Sequence, residues 1–269
     1  MSGQGVQHGR GGQDVQRVEP VGVVGGLGPA ATVYFMRRMV ELTDAARDQD
    51  HVDLLVWQHG STPDRTAFLR GEGESPEPAL VGNASALEAA GARFIAMPCN
   101  TGVAWVEAMR AAVSVEVVSI VDETVAAAVA ARPGLRRLGL LATDGTHLAR
   151  TYAEVARAAG LELVVPDDDV QAHVMSVIYD GVKAGRPVSR ERFDALVDHL
   201  RAKGAEVVAL GCTELSVLHG DLGVDERDVV DSVDALVCAV IRRAGAPLRD
   251  ATPLPATPSP SRPAAPHVP

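Results

Sequence analysis

Two cysteines stand in stretches of the same design. Phe94-Ile-Ala-Met-Pro-Cys-Asn-Thr101 and Val207-Val-Ala-Leu-Gly-Cys-Thr-Glu214 each run from an apolar, strand-like segment to one thiol, followed by a small polar residue suited to capping a helix. Taken singly, either cysteine reads as a small apolar residue at a strand end. Taken as a pair, Cys99 and Cys212 are expected to face one another across a cleft. That symmetry suits proton exchange at a stereocentre without a cofactor: one thiolate removes an α-proton from one face while the opposite thiol delivers a proton to the other. The ordinary thiol pKa of about 8.5 can be drawn toward working pH by helix dipoles and hydrogen bonds. The carbanion-like species needs fixed donors and cations around its carboxylate. Asn100, Thr101 and Thr213 are the candidate donors, with Arg65 and Lys183 as the charges.

For two thiols to meet in this way, each belongs at the carboxyl end of a parallel strand, where open α/β sheets place ligands. Hydrophobic residues make up 46% of the 269 and aromatics only 3%, so the core is built from Val, Leu and Ala, as in parallel sheets covered by helices. The expected fold is α/β, with two pseudo-symmetric lobes, each a mostly parallel sheet flanked by helices, and an active site in the cleft between them. Residues 21–119 form the first lobe, completed by about 225–245, and 120–224 the second. The last unit, Val229 to Asp231 and a helix to Arg243, is expected to cross back to the first lobe. Residues 1–20 and the proline-rich 246–269 read as unstructured tails.

Several other features invite a function and have a plainer reading. Val21-Gly-Val-Val24 leads into Gly26-x-Gly28-x-x-Ala31, which fits a dinucleotide fingerprint on paper, but the second strand (Val52 to Trp57) ends in Gln58-His59 where an acidic residue for a ribose is expected. A tight strand-to-helix turn with amides facing a small anion fits better. The helix after it is expected to run to about Arg47. Arg65 follows a strand-end segment that continues into Gly71 to Pro78, long enough for a binding loop or lid; the bland alternative is a surface arginine paired with Asp64. A helix is expected from Thr101 to about Val113. Asp167-Asp-Asp169 lacks the alternation of a calcium loop and reads as a helix start. Cys238 lies in an apolar helical stretch and is assigned to the core. His59 and His219 are possible pocket groups, and the eight histidines show no metal-ligand spacing.

The net charge of −10 works against attraction to nucleic acid or anionic membranes. Lys183 and Lys203 are the only lysines, which limits Schiff-base chemistry with pyridoxal phosphate to Lys183, since Lys203 ends an ordinary helix. Three cysteines, no signal-like N-terminus and no spanning apolar run give the expectation of a cytoplasmic protein with free thiols.

At these residues the sequence resembles the aspartate/glutamate racemase superfamily, and its aspartate racemase branch in particular. The landmarks are Gly25-Gly-Leu-Gly-Pro-Ala-Ala-Thr32, Pro63-Asp-Arg-Thr66, Met97-Pro-Cys-Asn-Thr101, Leu140-Leu-Ala-Thr-Asp-Gly-Thr146, Gly181-Val-Lys-Ala-Gly185 and Gly211-Cys-Thr-Glu214, spread from about Val21 to Arg243. Glu214 after Cys-Thr looks like the aspartate branch. The resemblance implies a cofactor-independent racemase of an acidic amino acid, aspartate first and glutamate second, commonly a homodimer. It makes Cys99 and Cys212 the acid/base pair and Arg65 and Lys183 carboxylate-binding residues, and its matched motif adds Thr146 to the candidate substrate-binding residues. Two departures concern the pocket: Gly102-Val103 replaces a family Ala-His, and Trp57-Gln58-His59 replaces an aromatic-Asn-Asp sequence. The alternatives are a relative that isomerises or decarboxylates another small carboxylate, and a non-catalytic binder of acidic metabolites.

Overall fold

The computed structural model describes residues 20–223 and 228–249. The tails expected at 1–20 and 246–269 lie outside the described residues, apart from Pro20 and 246–249. Among the described residues, eight parallel strands form two sheets. The first holds β1 (Val21–Gly25), β2 (Leu54–Gln58), β3 (Phe94–Ala96) and β4 (Glu116–Val118) in the order β2-β1-β3-β4. The second holds β5 (Arg137–Ala142), β6 (Glu162–Val164), β7 (Val207–Gly211) and β8 (Val229–Asp231) in the order β6-β5-β7-β8. The order repeats. In both sheets the chain moves from the first strand to one neighbour and then returns past it to the other side. This reversal opens a crevice at the carboxyl ends of the first and third strands, where such sheets bind ligands. Cys99 lies three residues beyond β3 and Cys212 directly after β7.

The connecting helices are α1 (Pro29–Leu42), α2 (Arg65–Leu69), α3 (Glu77–Ala89), α4 (Val106–Ala112), α5 (Ile120–Ala131), α6 (Asp144–Ala149), α7 (Thr151–Ala158), α8 (Asp168–Ser176), α9 (Arg190–Ala202), α10 (Thr213–Leu222) and α11 (Ser232–Arg243). Period-two alternation along the strands divides the core. Val21, Val23, Phe94 and Ala96 of one sheet join Val207 and Ala209 of the other in a central cluster that spans both lobes. The alternate residues Val24 and Ile95 pack outward with Leu80 and Met109, in the cluster that also holds Cys99. Val208 and Leu210 pack outward with Phe193 and Leu215, in the cluster that holds Cys212. Each thiol therefore closes the outer core of its own lobe.

Five expectations are corrected. β8 pairs with β7, so Val229–Asp231 ends the second sheet rather than completing the first; α11 then packs against both α5 and α1 and joins the lobes. α1 stops at Leu42, short of Arg47, because the Thr43 hydroxyl and amide both turn back onto the carbonyl of Met39 and extended residue 43 bridges Leu248. That bridge also orders residues 246–249, which had been assigned to the tail. The stretch after Cys99 begins as a 3-10 turn, Thr101–Trp105, before α4. Cys238 is half-buried on α11, outside the core.

Candidate active site

Arg65 begins α2, whose Asp64 N-cap accepts from the Ala67 amide at 2.8 Å. It is no surface arginine: its side chain is buried and donates to the carbonyls of Leu27 at 2.8 Å, Pro63 at 3.0 Å and Thr62 at 3.3 Å. Leu27 belongs to the glycine turn that resembled a dinucleotide fingerprint. That turn is occupied by the protein itself, since a Cβ on Gly28 would come within 2.9 Å of Glu214 Oε1. Burial works against the Arg65 cation, but the charges of Cys99, Asp64 and Glu214 hold its proton above the ordinary range.

Lys183 ends a π-helical turn, Val177–Lys183, that continues α8. Such turns recur at functional sites because they re-aim side chains from a regular helix. Here Lys183 Nζ lies 3.2 Å from Glu214 Oε1 and 5.1 Å from the centroid of the Tyr179 ring. Burial again opposes the charge, and Glu214, Cys212 and Tyr179 more than compensate, so the ammonium stays firmly protonated.

Cys99 and Cys212 line one small cavity, together with Leu27, Arg65, Lys183 and Glu214 among others. Its volume is about 20 Å³, and one water needs on the order of 10–15 Å³. The Gly102 amide donates to Cys99 Sγ at 3.3 Å, and a Cβ on Gly102 would lie 3.3 Å from the same sulfur. Cys212, at the N-cap of α10, instead donates its S–H to Glu214 Oε2 at 3.0 Å. Burial, followed by the Glu214 charge, pushes the Cys212 thiol well up, against the opposing pull of Lys183. The expectation that a helix start would lower this thiol fails, because the neighbouring carboxylate and desolvation outweigh the helix amides.

Asn100, Thr101 and Thr213 line the cavity, but the Asn100 side chain is engaged elsewhere. Its amide donates to Ser232 at 2.9 Å, and its carbonyl accepts from the Tyr152 hydroxyl at 2.7 Å. Thr146 does not line the cavity; it lies behind it, in a buried cluster with Thr101 and Thr143. The two sequence departures fall outside the cavity as well. Val103 packs against the core, Trp57 and Gln58 are exposed, and His59 Nδ1 lies 3.0 Å from Asn83 Oδ1. His219 packs against Phe193 with the two rings tilted by 42°, and its Nδ1 lies 3.8 Å from Asp231. Asp167 starts α8 and pairs with Lys203.

Glu214 was read from the sequence only as a branch marker, yet it contacts both Lys183 and Cys212. Tyr179 was missed entirely. It shares the cavity wall with Asp64 and Thr66, and all three also line an outer groove of about 720 Å³ between the lobes. The groove carries Asp144, Asp168 and Asp180 with Arg70 as its cation.

A glycine turn, a buried arginine, a π-turn lysine and two thiols at matching strand ends meet at one cavity between the two sheets. The profile of the Asp/Glu/Hydantoin racemase family matches residues 24–240, and the chain belongs to that family. It is similar to the aspartate racemase of Picrophilus torridus, with 30% identity, 86% of this chain and 96% of that one covered, and a TM-score of 0.72. An aspartate racemase homologue from Pyrococcus horikoshii gives 27% identity, 84% and 99% coverage and a TM-score of 0.68. The broad specificity amino-acid racemase RacX of Bacillus subtilis is 25% identical over 231 residues, 82% of this chain and 96% of that protein. The protein is an amino-acid racemase, an isomerase, and independence from pyridoxal phosphate fits its family. No helix among the described residues is long and apolar enough to cross a membrane.

Proposed function

We propose that the protein racemises a small amino acid by two-base proton exchange between Cys99 and Cys212, without a cofactor. The observation that supports this reading is that the two thiols, from the third strands of two sheets of the same order, line one cavity. A thiolate takes the α-proton, the C–H electron pair spreads into the substrate carboxylate, and the opposite S–H protonates the other face of the carbon. Atoms and charge balance, with the negative charge passing from one sulfur to the other. Lys183 holds the reacting carboxylate, Arg65 the carboxylate of an acidic side chain, and the backbone around Asn100, Thr101 and Thr213 supplies donors. The cavity is smaller than any amino acid, so the lobes part for substrate to enter from the outer groove, past Tyr179 and Asp64.

The first substrate reading is an acidic amino acid, aspartate before glutamate. Two cations at the cavity support it, together with the similarity to an aspartate racemase. A second reading, a wider range of side chains, draws on the acidic residues of the outer groove and on the similarity to the Bacillus enzyme. Chiral chromatography after incubation with single enantiomers of aspartate, glutamate, alanine, serine, lysine and arginine tests both. Conversion restricted to aspartate and glutamate supports the first, and faster conversion of neutral or basic amino acids the second. A product of changed mass points to decarboxylation and overturns the proposal.

A further inference from the structure

The two thiols have unlike surroundings although their strands are equivalent. Cys99 accepts a hydrogen bond from the Gly102 amide and lies beside the Arg65 guanidinium, two contacts that suit a negatively charged sulfur. Cys212 faces the Glu214 carboxylate 3.0 Å away, and because that carboxylate is ion-paired with Lys183 it accepts, so the proton of this contact sits on sulfur. Glu214 cannot turn from this contact. Its other oxygen is fixed by Lys183, its side chain is 5% exposed, and Gly28 closes the space beside it.

We propose that Glu214 is a positioning residue for the reaction: it orients the Cys212 S–H and makes Cys212 the proton donor of the resting enzyme, with Cys99 as the base of that form. The inference rests on the racemase reading for its purpose, but the Glu214 contact exists independently of it. Other groups facing Cys212 are Lys183 at the cavity, with Tyr179 and Tyr152 nearby. Lys183 is the cation among them, and Glu214 offsets it directly.

One consequence is that the enzyme starts each direction of racemisation from a different proton arrangement. The enantiomer whose α-hydrogen faces Cys99 meets the resting form. The mirror-image enantiomer, which presents its α-hydrogen to Cys212, needs the proton moved from Cys212 to Cys99 first. After each turnover the proton has changed sulfurs, so return to rest needs a proton exchange with solvent or a reverse turnover.

The test is a titration of the thiolate absorbance near 240 nm in Cys99→Ser/Cys238→Ser protein, which leaves Cys212 as the sole thiol, with and without Glu214→Gln. Loss of the carboxylate, with Lys183 retained, should bring the Cys212 thiolate in at least tenfold more readily, a midpoint lower by one pH unit or more. In the parent with all cysteines, Glu214→Gln should move the alkaline limb of kcat/KM to lower pH by a similar amount, because the donor thiol then ionises too early. Glu214→Asp, which withdraws the carboxylate without removing it, should shift both in the same direction by less, and it serves if the glutamine variant does not fold. Unchanged titration of Cys212 in the folded variant overturns the proposal. A shifted titration, alongside a parent protein with all three cysteines that racemises no amino acid, upholds the Glu214 contact and overturns the racemase reading instead.

Discussion

The hydroxyl of Thr101 lies 2.9 Å from that of Thr146, and this bond crosses from one lobe to the other directly behind the cavity. Thr143 joins both and also meets Thr66, so four buried threonines tie the lobes at the floor of the cleft. Thr146→Val keeps the shape of the side chain and removes one hydroxyl from a network in which Thr101 and Thr143 still bond each other. A loss of about 1 kcal/mol in stability is expected, measured by urea unfolding. Because Thr146 does not line the cavity, KM should change less than twofold.

The same floor is tightly packed at Gly145. A Cβ there would sit 2.6 Å from Thr66 Oγ1 and 2.8 Å from the Thr66 backbone, so the clash cannot be relieved by a flexible side chain alone. Gly145→Ala should force α6 from α2 and cost on the order of 1–3 kcal/mol. It should also depress kcat, because the thiols on opposite lobes move apart. Full activity with unchanged melting temperature would show that the lobes are not held at this point.

Much of this arrangement was legible in the sequence, for reasons the structure makes clear. Strands such as Phe94–Ala96 and Val207–Gly211 are buried throughout and therefore read as uninterrupted apolar runs. The thiols follow those runs, so their placement was recoverable from local pattern alone. Which sheet Val229–Asp231 joins was not, because a three-residue strand pairs by tertiary context and nothing within it distinguishes β7 from β4 as its neighbour. The Glu214 contacts with Lys183 and Cys212 were equally hidden: a glutamate in the first turn of a helix ordinarily reads as a favourable helix-end charge. Only the π turn and the close approach of Gly28 reveal it as a buried partner.

Asp231 caps α11 through the amides of Val233 at 2.7 Å and Asp234 at 3.2 Å. Burial, and then the Asp234 charge, push its carboxyl up to about 7. A carboxyl raised in the folded state contributes stability that is fully present below its ordinary value near 4 and is lost as pH rises through about 7. Asp231→Asn keeps an oxygen for the cap and removes that loss. The variant should therefore gain stability relative to the parent between pH 5 and 8, by roughly 1–4 kcal/mol, in urea unfolding followed across pH. A parent whose stability advantage over the variant grows with pH would show that the Asp231 charge is favourably held.

Arg65 serves three carbonyls as well as the cavity, and lysine cannot reproduce that planar fork. Arg65→Lys should lower kcat/KM for aspartate at least about tenfold, equivalent to ~1.4 kcal/mol, and should reduce use of alanine much less. Equal losses for both substrates would assign Arg65 to the scaffold of the turn alone. Cys238→Ser, on the half-buried face of α11, should leave racemisation unchanged and shift stability by less than about 1 kcal/mol.

The two-thiol claim is tested most directly by following the α-hydrogen of a single enantiomer by proton NMR in deuterated water, with the parent protein, Cys99→Ser and Cys212→Ser. The parent should replace the α-hydrogen with deuterium as the mirror-image product appears. Each serine variant should lose racemisation by about 10²–10⁴-fold, the usual worth of a positioned acid or base. Racemisation at the parent rate by either folded variant would contradict the account.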